Sequence, residues 1–504
     1  MPIPMRAVAT LAVAAVAAVS VVSAQAEPAP LAGFDASVVR ALQTLEHPGV
    51  ALAVVRGDSV VYAKGFGVRR LGDPTPVDVH TLFAIGSSSK AFTGLAVAML
   101  VDEGKVEWDA PLARYLPELQ LSDPYVAREL TVRDALTHRS GLARTDLVWI
   151  SGQFDSAELL RRLRFVKPAG GFRAVYGYQN LMFLAAGTLV ARVSGASSWG
   201  DFVERRIFAP LGMRESNTSV RDLAGQANVA QPHAVIDGTL RVMPFRNVDI
   251  VAPAGSINSN VLDMAKWVRF QLANGVVDDK PLLGERALAE TRTPQFLLRR
   301  SGRGGADRDG YFSAYGFGWF LEDYHGRFVV HHGGNIDGMT ALVAFMPDEQ
   351  LGVVVLTNMN GSPLPGVLAY DVFDRFLGRP AKDRVAEIQA ARERGRTRVE
   401  QATAKAEAAR VKGTSPSLAL DRYAGEYADS ANGTMKVALE GGKLVLRYGS
   451  EFTGDLEHWH FDTFRARWRS SALVDESMVV FRLDQNGRIA SIDVNRFGEF
   501  GAVP

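Results

Sequence analysis

Two strand-rich stretches far apart in the chain, with helical patterns between them, constrain this sequence most. The first runs from Gly49 to Lys64: Val50-Ala-Leu-Ala-Val-Val, a Gly57-Asp58 turn, then Val60-Val61-Tyr62-Ala63, the pattern of a hairpin. The second lies between Phe328 and Leu356: Phe328-Val-Val, Ala341-Leu-Val-Ala-Phe-Met, a Pro347-Asp348 turn and Gly352-Val-Val-Val-Leu. From about residue 87 to 275 helical patterns and loops dominate. Asn260–Asn274 is an example, with Val261, Met264, Ala265, Val268 and Leu272 as an apolar stripe, a capping-box-like start at Asn260 and Asp263, and Gly275 as its end. Strands at both ends with helices between them imply an α+β domain whose two ends share one sheet.

The pattern changes after that domain. From Lys382 to Lys412 there are nine Lys/Arg and five Asp/Glu, many Ala and no aromatic residue, the signature of a solvated helix or linker. Past Ser415-Pro416 the chain reads as all-β. Met435-Lys-Val-Ala-Leu, Gly441-Gly442 and Leu444-Val-Leu form one hairpin; Met478-Val-Val-Phe-Arg-Leu, Asn486-Gly487 and the run from Ile489 to Val494 form another. Short strands with turn dipeptides predict a small barrel or sandwich. The expected division is an export signal over 1–26, the α+β domain over 27–380, a charged helical linker over 381–415 and a β domain over 416–504.

A length of 504 residues with 47% hydrophobic content and a net charge of +1 suits a soluble protein of two or three domains. The balanced charge gives no reason to expect a nucleic-acid partner. Without cysteine there are neither disulfides nor thiolate metal sites. Arg6, the Ala/Val run from Ala7 to Val22 and Ala24-Gln25-Ala26 read as an export signal. The run is short and Ala-rich for a membrane span, and no later stretch approaches the length of one. A periplasmic or secreted protein with no stable membrane span is expected, an uncleaved anchor being the alternative.

Chemistry enters at Ser87-Ser88-Ser89-Lys90. Residues three apart on a helix share a face, so Ser87 and Lys90 can touch. Gly86 allows a tight entry, and Ser87 at the helix start would sit where free N–H groups favour a developing anion. Tyr178-Gln179-Asn180 follows about 90 residues later, before the helical run Leu181-Met-Phe-Leu-Ala-Ala-Gly. A phenol near a lysine ammonium loses its proton more easily and can relay protons, and Asn180 offers an amide to a substrate carbonyl. Tyr176 competes with Tyr178 for that role. His331-His332-Gly333-Gly334 follows the strand Phe328-Val-Val. Its glycines would let substrate approach the strand, where a backbone N–H could serve an oxyanion. Adjacent strand residues point to opposite faces, so the two histidines do not make one metal site. No metal or other cofactor is called for.

The three motifs appear in order, and with them the sequence resembles the serine β-lactamase-like superfamily, in the branch of class C β-lactamases, D-alanyl-D-alanine carboxypeptidases, D-aminopeptidases and β-lactamase-fold esterases. The run from Leu130 to Leu142, Ile207-Phe-Ala-Pro-Leu-Gly-Met-Arg, Pro253-Ala-Gly-Ser-Ile-Asn-Ser-Asn and Tyr315-Gly-Phe-Gly-Trp extend the resemblance over residues 35 to 378. It implies a β-lactamase/transpeptidase-like fold, an antiparallel sheet flanked by helices plus a helical subdomain. It also implies roles: Ser87 as acylated nucleophile, Lys90 as its base, Tyr178 as proton relay, Asn180, His331 and Gly333 as substrate contacts, and the backbone N–H groups of Ser87 and Gly334 as oxyanion hole. Where penicillin-active members carry Lys in the third motif this chain has His331-His332-Gly333; His is largely neutral at pH 7, which argues against β-lactam turnover. The tail, with Leu420-Asp-Arg-Tyr-Ala-Gly-Glu-Tyr and Leu456-Glu-His-Trp-His-Phe-Asp-Thr-Phe, resembles the small lipocalin-like C-terminal domain of some such hydrolases. The expected activity is hydrolysis of small peptides or amides of D-amino-acid type, or of carboxylic esters, with a penicillin-binding sensor that does not deacylate as the alternative.

Overall fold

The computed structural model describes residues 28–299, 310–469, 473–474 and 476–503. The expected export signal lies outside the described residues.

The two strand-rich ends do meet in one sheet. In chain order its strands are β1 (Gly49–Arg56), β2 (Ser59–Arg70), β3 (Asp73–Pro76), β4 (Phe296–Leu297), β5 (Ser313–Tyr315), β6 (Phe320–Tyr324), β7 (Arg327–Ile336), β8 (Met339–Met346) and β9 (Leu351–Thr357). The spatial order is β4-β5-β6-β7-β8-β9-β1-β2-β3, every pairing antiparallel. The join is β1 against β9, with Val50 opposite Thr357 and Arg56 opposite Leu351. Both partners are apolar on both faces because the sheet is covered on both sides.

Alternation along β7 sorts the two layers. Val329 packs into the cluster with α1 (Phe34–Thr44) and Leu364, Leu368, Val372 and Phe373. Val330 packs into the larger cluster with α2 (Lys90–Asp102) and the helical subdomain, including α3 (Asp146–Ile150), α4 (Asn180–Ser194) and α5 (Val261–Leu272). Lys90 to Leu100 is buried all round, the pattern of a helix run through a core. Phe92 on α2 stacks on Trp267 of α5 at 3.9 Å. Asn260 caps α5 by accepting from Asp263 N at 2.9 Å, while the Asp263 carboxylate turns to the Glu215 and Ser216 amides instead of closing a box. Among the described residues no single helix is long and apolar enough to cross a membrane.

Helix α6 (Leu364–Phe376) closes the first domain, and α7 (Arg384–Ala409) has no buried residue. The last segment is a closed antiparallel barrel of eight strands, β10 (Gly425–Asp429), β11 (Gly433–Glu440), β12 (Lys443–Tyr448), β13 (Phe452–His460), β14 (Thr463–Trp468), β15 (Glu476–Leu483), β16 (Ile489–Val494) and β17 (Gly498–Ala502). Closure through β10 and β17 removes the exposed edges that short strands would otherwise present.

Candidate active site

Entry to α2 is a tight turn held from three sides. Gly86 has φ +51°, a conformation that glycine adopts without strain. Ile85 N donates to Ile257 O at 2.9 Å. Of the three serines, Ser88 Oγ donates to His332 O at 3.0 Å and Ser89 Oγ to Gly86 O at 2.7 Å. Both are therefore committed to the backbone. Ser87 alone opens into a cleft of about 140 Å³, with Asn180, Trp149, Arg144 and Asn335 among its walls.

Lys90, one turn on, is fully buried. Its Nζ donates to Ser87 Oγ at 3.1 Å and to Ala254 O at 2.7 Å, and lies 4.8 Å from the centre of the Tyr178 ring. Loss of hydration holds its pKa well below the usual lysine value; Asp146 pulls it back and Arg144 adds to the fall. An amine whose charged form is disfavoured, set beside a serine hydroxyl, is placed to act as a general base.

Of the two tyrosines, Tyr178 is the one in hydrogen-bond contact with Ser87 and beside Lys90. The Tyr176 hydroxyl is buried without a partner among the described residues. The expectation of an easily ionised phenol is reversed: burial raises the Tyr178 pKa, and the Ser87 hydrogen bond and Arg144 only partly offset it. Tyr178 is thus held as a proton donor. Its ring lies 4.2 Å from that of His138, whose Nδ1 accepts from Gln179 N at 3.0 Å. Arg139 and Arg173 both pair with the buried Asp134, anchoring the loop that carries His138.

Asn180 is not the cap of α4. Gln179 takes that role, its side chain accepting from Leu181 N at 3.1 Å. Asn180 Nδ2 instead donates to Asp146 Oδ1 at 2.7 Å, which orients the amide and leaves Oδ1 without a partner among the described residues. Asp146 also accepts from Arg144 Nε and from Trp149 Nε1. This Arg144–Asp146–Trp149 group was missed by the sequence reading, since nothing in the spacing of a short loop and helix marks it.

The third motif shifts by one residue. His331 lies on the sheet face away from Ser87, stacked on Phe320 at 5.6 Å with Nε2 3.8 Å from Glu322 Oε1. Gly333 shares that face, opposite Leu342. His332 is the one on the catalytic side, 1% exposed, its Nε2 3.1 Å from the Tyr315 hydroxyl. Burial, with Lys90 nearby, pushes its pKa down to about 3, so it is neutral. Gly334 packs beneath the nucleophile turn, where a Cβ would fall 1.8 Å from Ile85 O and 3.0 Å from Ser87 N. Asn335, the next residue, is the one that reaches the cleft, and its N would lie 3.0 Å from a Cβ on Gly86.

The description "Beta-lactamase" matches residues 34–374, and "Domain of unknown function (DUF3471)" matches residues 409–500. The unguisins hydrolase ungD of Aspergillus violaceofuscus is 30% identical over 70% of this chain and 66% of its own length. Penicillin-binding protein 4 of Amycolatopsis lactamdurans is 30% identical over 69% of this chain and 90% of its own. The chain spans just under two thirds of the length of the first relative. The octameric penicillin-binding protein homologue from Pyrococcus abyssi superposes with a TM-score of 0.61 at 22% identity, over 93% of this chain and 99% of its own. The class C beta lactamase from Rhodobacter sphaeroides gives 0.56 at 24%, over 69% and 99%. By sequence and by fold, the chain belongs to the beta-lactamase family.

Proposed function

We propose that the protein is an exported serine hydrolase that works through an acyl-enzyme on small peptides or amides of D-amino-acid type, or on carboxylic esters. The observation that carries this is Lys90 Nζ at 3.1 Å from Ser87 Oγ, fully buried and held below its usual pKa. Ser87 Oγ attacks the substrate carbonyl as its proton passes to Lys90, whose charged form burial disfavours. The oxyanion is met by the backbone N–H groups of Ser87 and, in place of the expected Gly334, of Asn335, which lines the cleft while Gly334 packs beneath the Ser87 turn; these dipoles are fixed before the charge develops. Lys90, through the protonated Tyr178 hydroxyl, returns the proton to the leaving alcohol or amine as its bond to the acyl carbon breaks. Water then attacks the ester on Ser87, giving its proton to the same network and releasing acid and free serine. Asn180 Oδ1 accepts a substrate N–H. Relatives named as unguisins hydrolases support the hydrolase reading. β-Lactams are weak substrates on this reading, because neutral His332 stands where penicillin-active members of the family resemblance carry a permanent cation.

The test is incubation of the protein, and of Ser87→Ala, with a short-chain p-nitrophenyl ester, D-alanine p-nitroanilide and nitrocefin, following product release and intact mass. Turnover on the first or second, at least about 10³-fold lower in Ser87→Ala, is expected. A stable mass adduct without turnover would replace the hydrolase by an acylated binding protein.

A further inference from the structure

The barrel, whose family description assigns it no function, reaches the catalytic cleft at three places. Leu473, between β14 and β15, is itself a cleft wall. Arg246 is mostly buried and bridges the domains: Nε donates to Asp337 Oδ2 at 2.6 Å in the β7–β8 turn, and Nη1 to Glu451 Oε2 at 2.9 Å in the β12–β13 turn. Asp337 lines the cleft beside Asn335. On the other side, Ser450 N donates to Ser151 O at 3.1 Å, directly after Trp149 and Ile150, which also line it. Two walls from distant parts of the catalytic domain are thus each held by the same β12–β13 turn, and a barrel leucine faces the space between them.

We propose that the C-terminal barrel is a specificity wall of this cleft, with Leu473 blocking substrates that extend past Ser87 toward it and Arg246 and Glu451 setting its position. The apolar side chain of Leu473 excludes bulk by contact, and Arg246, buried against Asp337 and reaching the more exposed Glu451 of the barrel, holds that wall in place together with the Ser450–Ser151 hydrogen bond. The substrates admitted are small ones, which extends the hydrolase reading and rests on it. Leu473 acts on substrate shape alone; Arg246 and Glu451 are positioning residues, acting through Asp337 and the turn.

The test compares wild type with Leu473→Gly and Glu451→Ala on two ladders: p-nitrophenyl esters from acetate to octanoate, and acetate esters from ethyl to octyl. Removing a leucine side chain from a pocket wall is expected to raise kcat/KM for the longest members of at least one ladder about 10-fold relative to the shortest. Glu451→Ala is expected to relax the same ladder by a smaller factor. The shortest substrate serves as the internal reference, and a thermal melt confirms that each variant is folded. A length profile unchanged in both variants on both ladders, with Ser87-dependent turnover intact, overturns the wall and leaves the hydrolase standing. No Ser87-dependent turnover of these esters or of D-alanine p-nitroanilide in any protein overturns the hydrolase reading instead.

Discussion

Lys90 is where burial and chemistry pull in the same direction. An amine with its charge stripped of water ionises less readily, and here that is what makes it a base. Its folded pKa lies below its unfolded one, so the unfolded chain binds the extra proton across the window between them. Stability therefore rises with pH through that window and is reduced below it, where the fold must keep a buried lysine that water would protonate. Two outcomes follow for one substitution. Lys90→Met is expected to lower kcat/KM by at least about 10³-fold while raising the melting temperature at neutral pH, a gain that shrinks as pH climbs toward the ordinary lysine range. In the wild type, kcat/KM against pH should rise through a pKa lower than that of a free lysine. His332, pushed to about 3, cannot contribute a limb near neutrality, so His332→Gln should leave the position of that rise unchanged. A limb that moves with His332→Gln would assign the titration to the wrong residue.

At the scale of elements, strands and their pairings were readable because alternation and turn dipeptides are local. Gly57-Asp58, Gly441-Gly442 and the apolar runs beside them sit where the hairpins form. The same period of two also showed that His331 and His332 must face opposite sides. Which of them faces Ser87 is not a local property, because it depends on which glycine fits beneath the α2 entry. Gly334 fits there, with no room for a methyl group, whereas a Cβ on Gly333 would meet Ala341 O at an ordinary 3.5 Å. Gly334→Ala is therefore expected to push the Ser87 turn aside, costing about 1–3 kcal/mol of stability and about 10²-fold in kcat/KM through misplacement of the nucleophile. Gly333→Ala should be close to wild type in both. Denaturant unfolding and ester kinetics on the pair check the register, and the reverse pattern would restore His331 and Gly333 to the catalytic face. Arg144, Asp146 and Trp149 were not legible for a related reason: their function comes from Asn180 and Tyr178, which only folding brings to them.

For the whole molecule, the question is whether barrel and catalytic domain stand or fall together. Helix α7, about 39 Å long at 1.5 Å per residue, has no fully buried residue, and its apolar contact with the core among the described residues is confined to Val385 and Ile388 near its start, so it offers the two domains little shared packing. Coupling must run through the docked surface, where Gly449 is the tightest point. It has φ +61°, and a Cβ there would lie 1.8 Å from Ser151 O. Around it Arg162 Nη1 donates to Ser430 O at 2.6 Å and Thr434 N to Gln153 Oε1 at 3.0 Å. Gly449→Ala adds two penalties, a left-handed conformation with a side chain and a clash across the interface. Gly441 separates them: it has φ +55° in a barrel turn with nothing within 4 Å of its Cβ position, so Gly441→Ala carries the first penalty alone. The wild type and Gly441→Ala are expected to unfold in one calorimetric transition, the variant at a slightly lower temperature. Gly449→Ala is expected to split into two, with the catalytic domain losing ester turnover as Ser151 and the Trp149 wall relax. Identical behaviour of the two alanine variants would mean that the backbone penalty accounts for everything and that the two domains are only tethered.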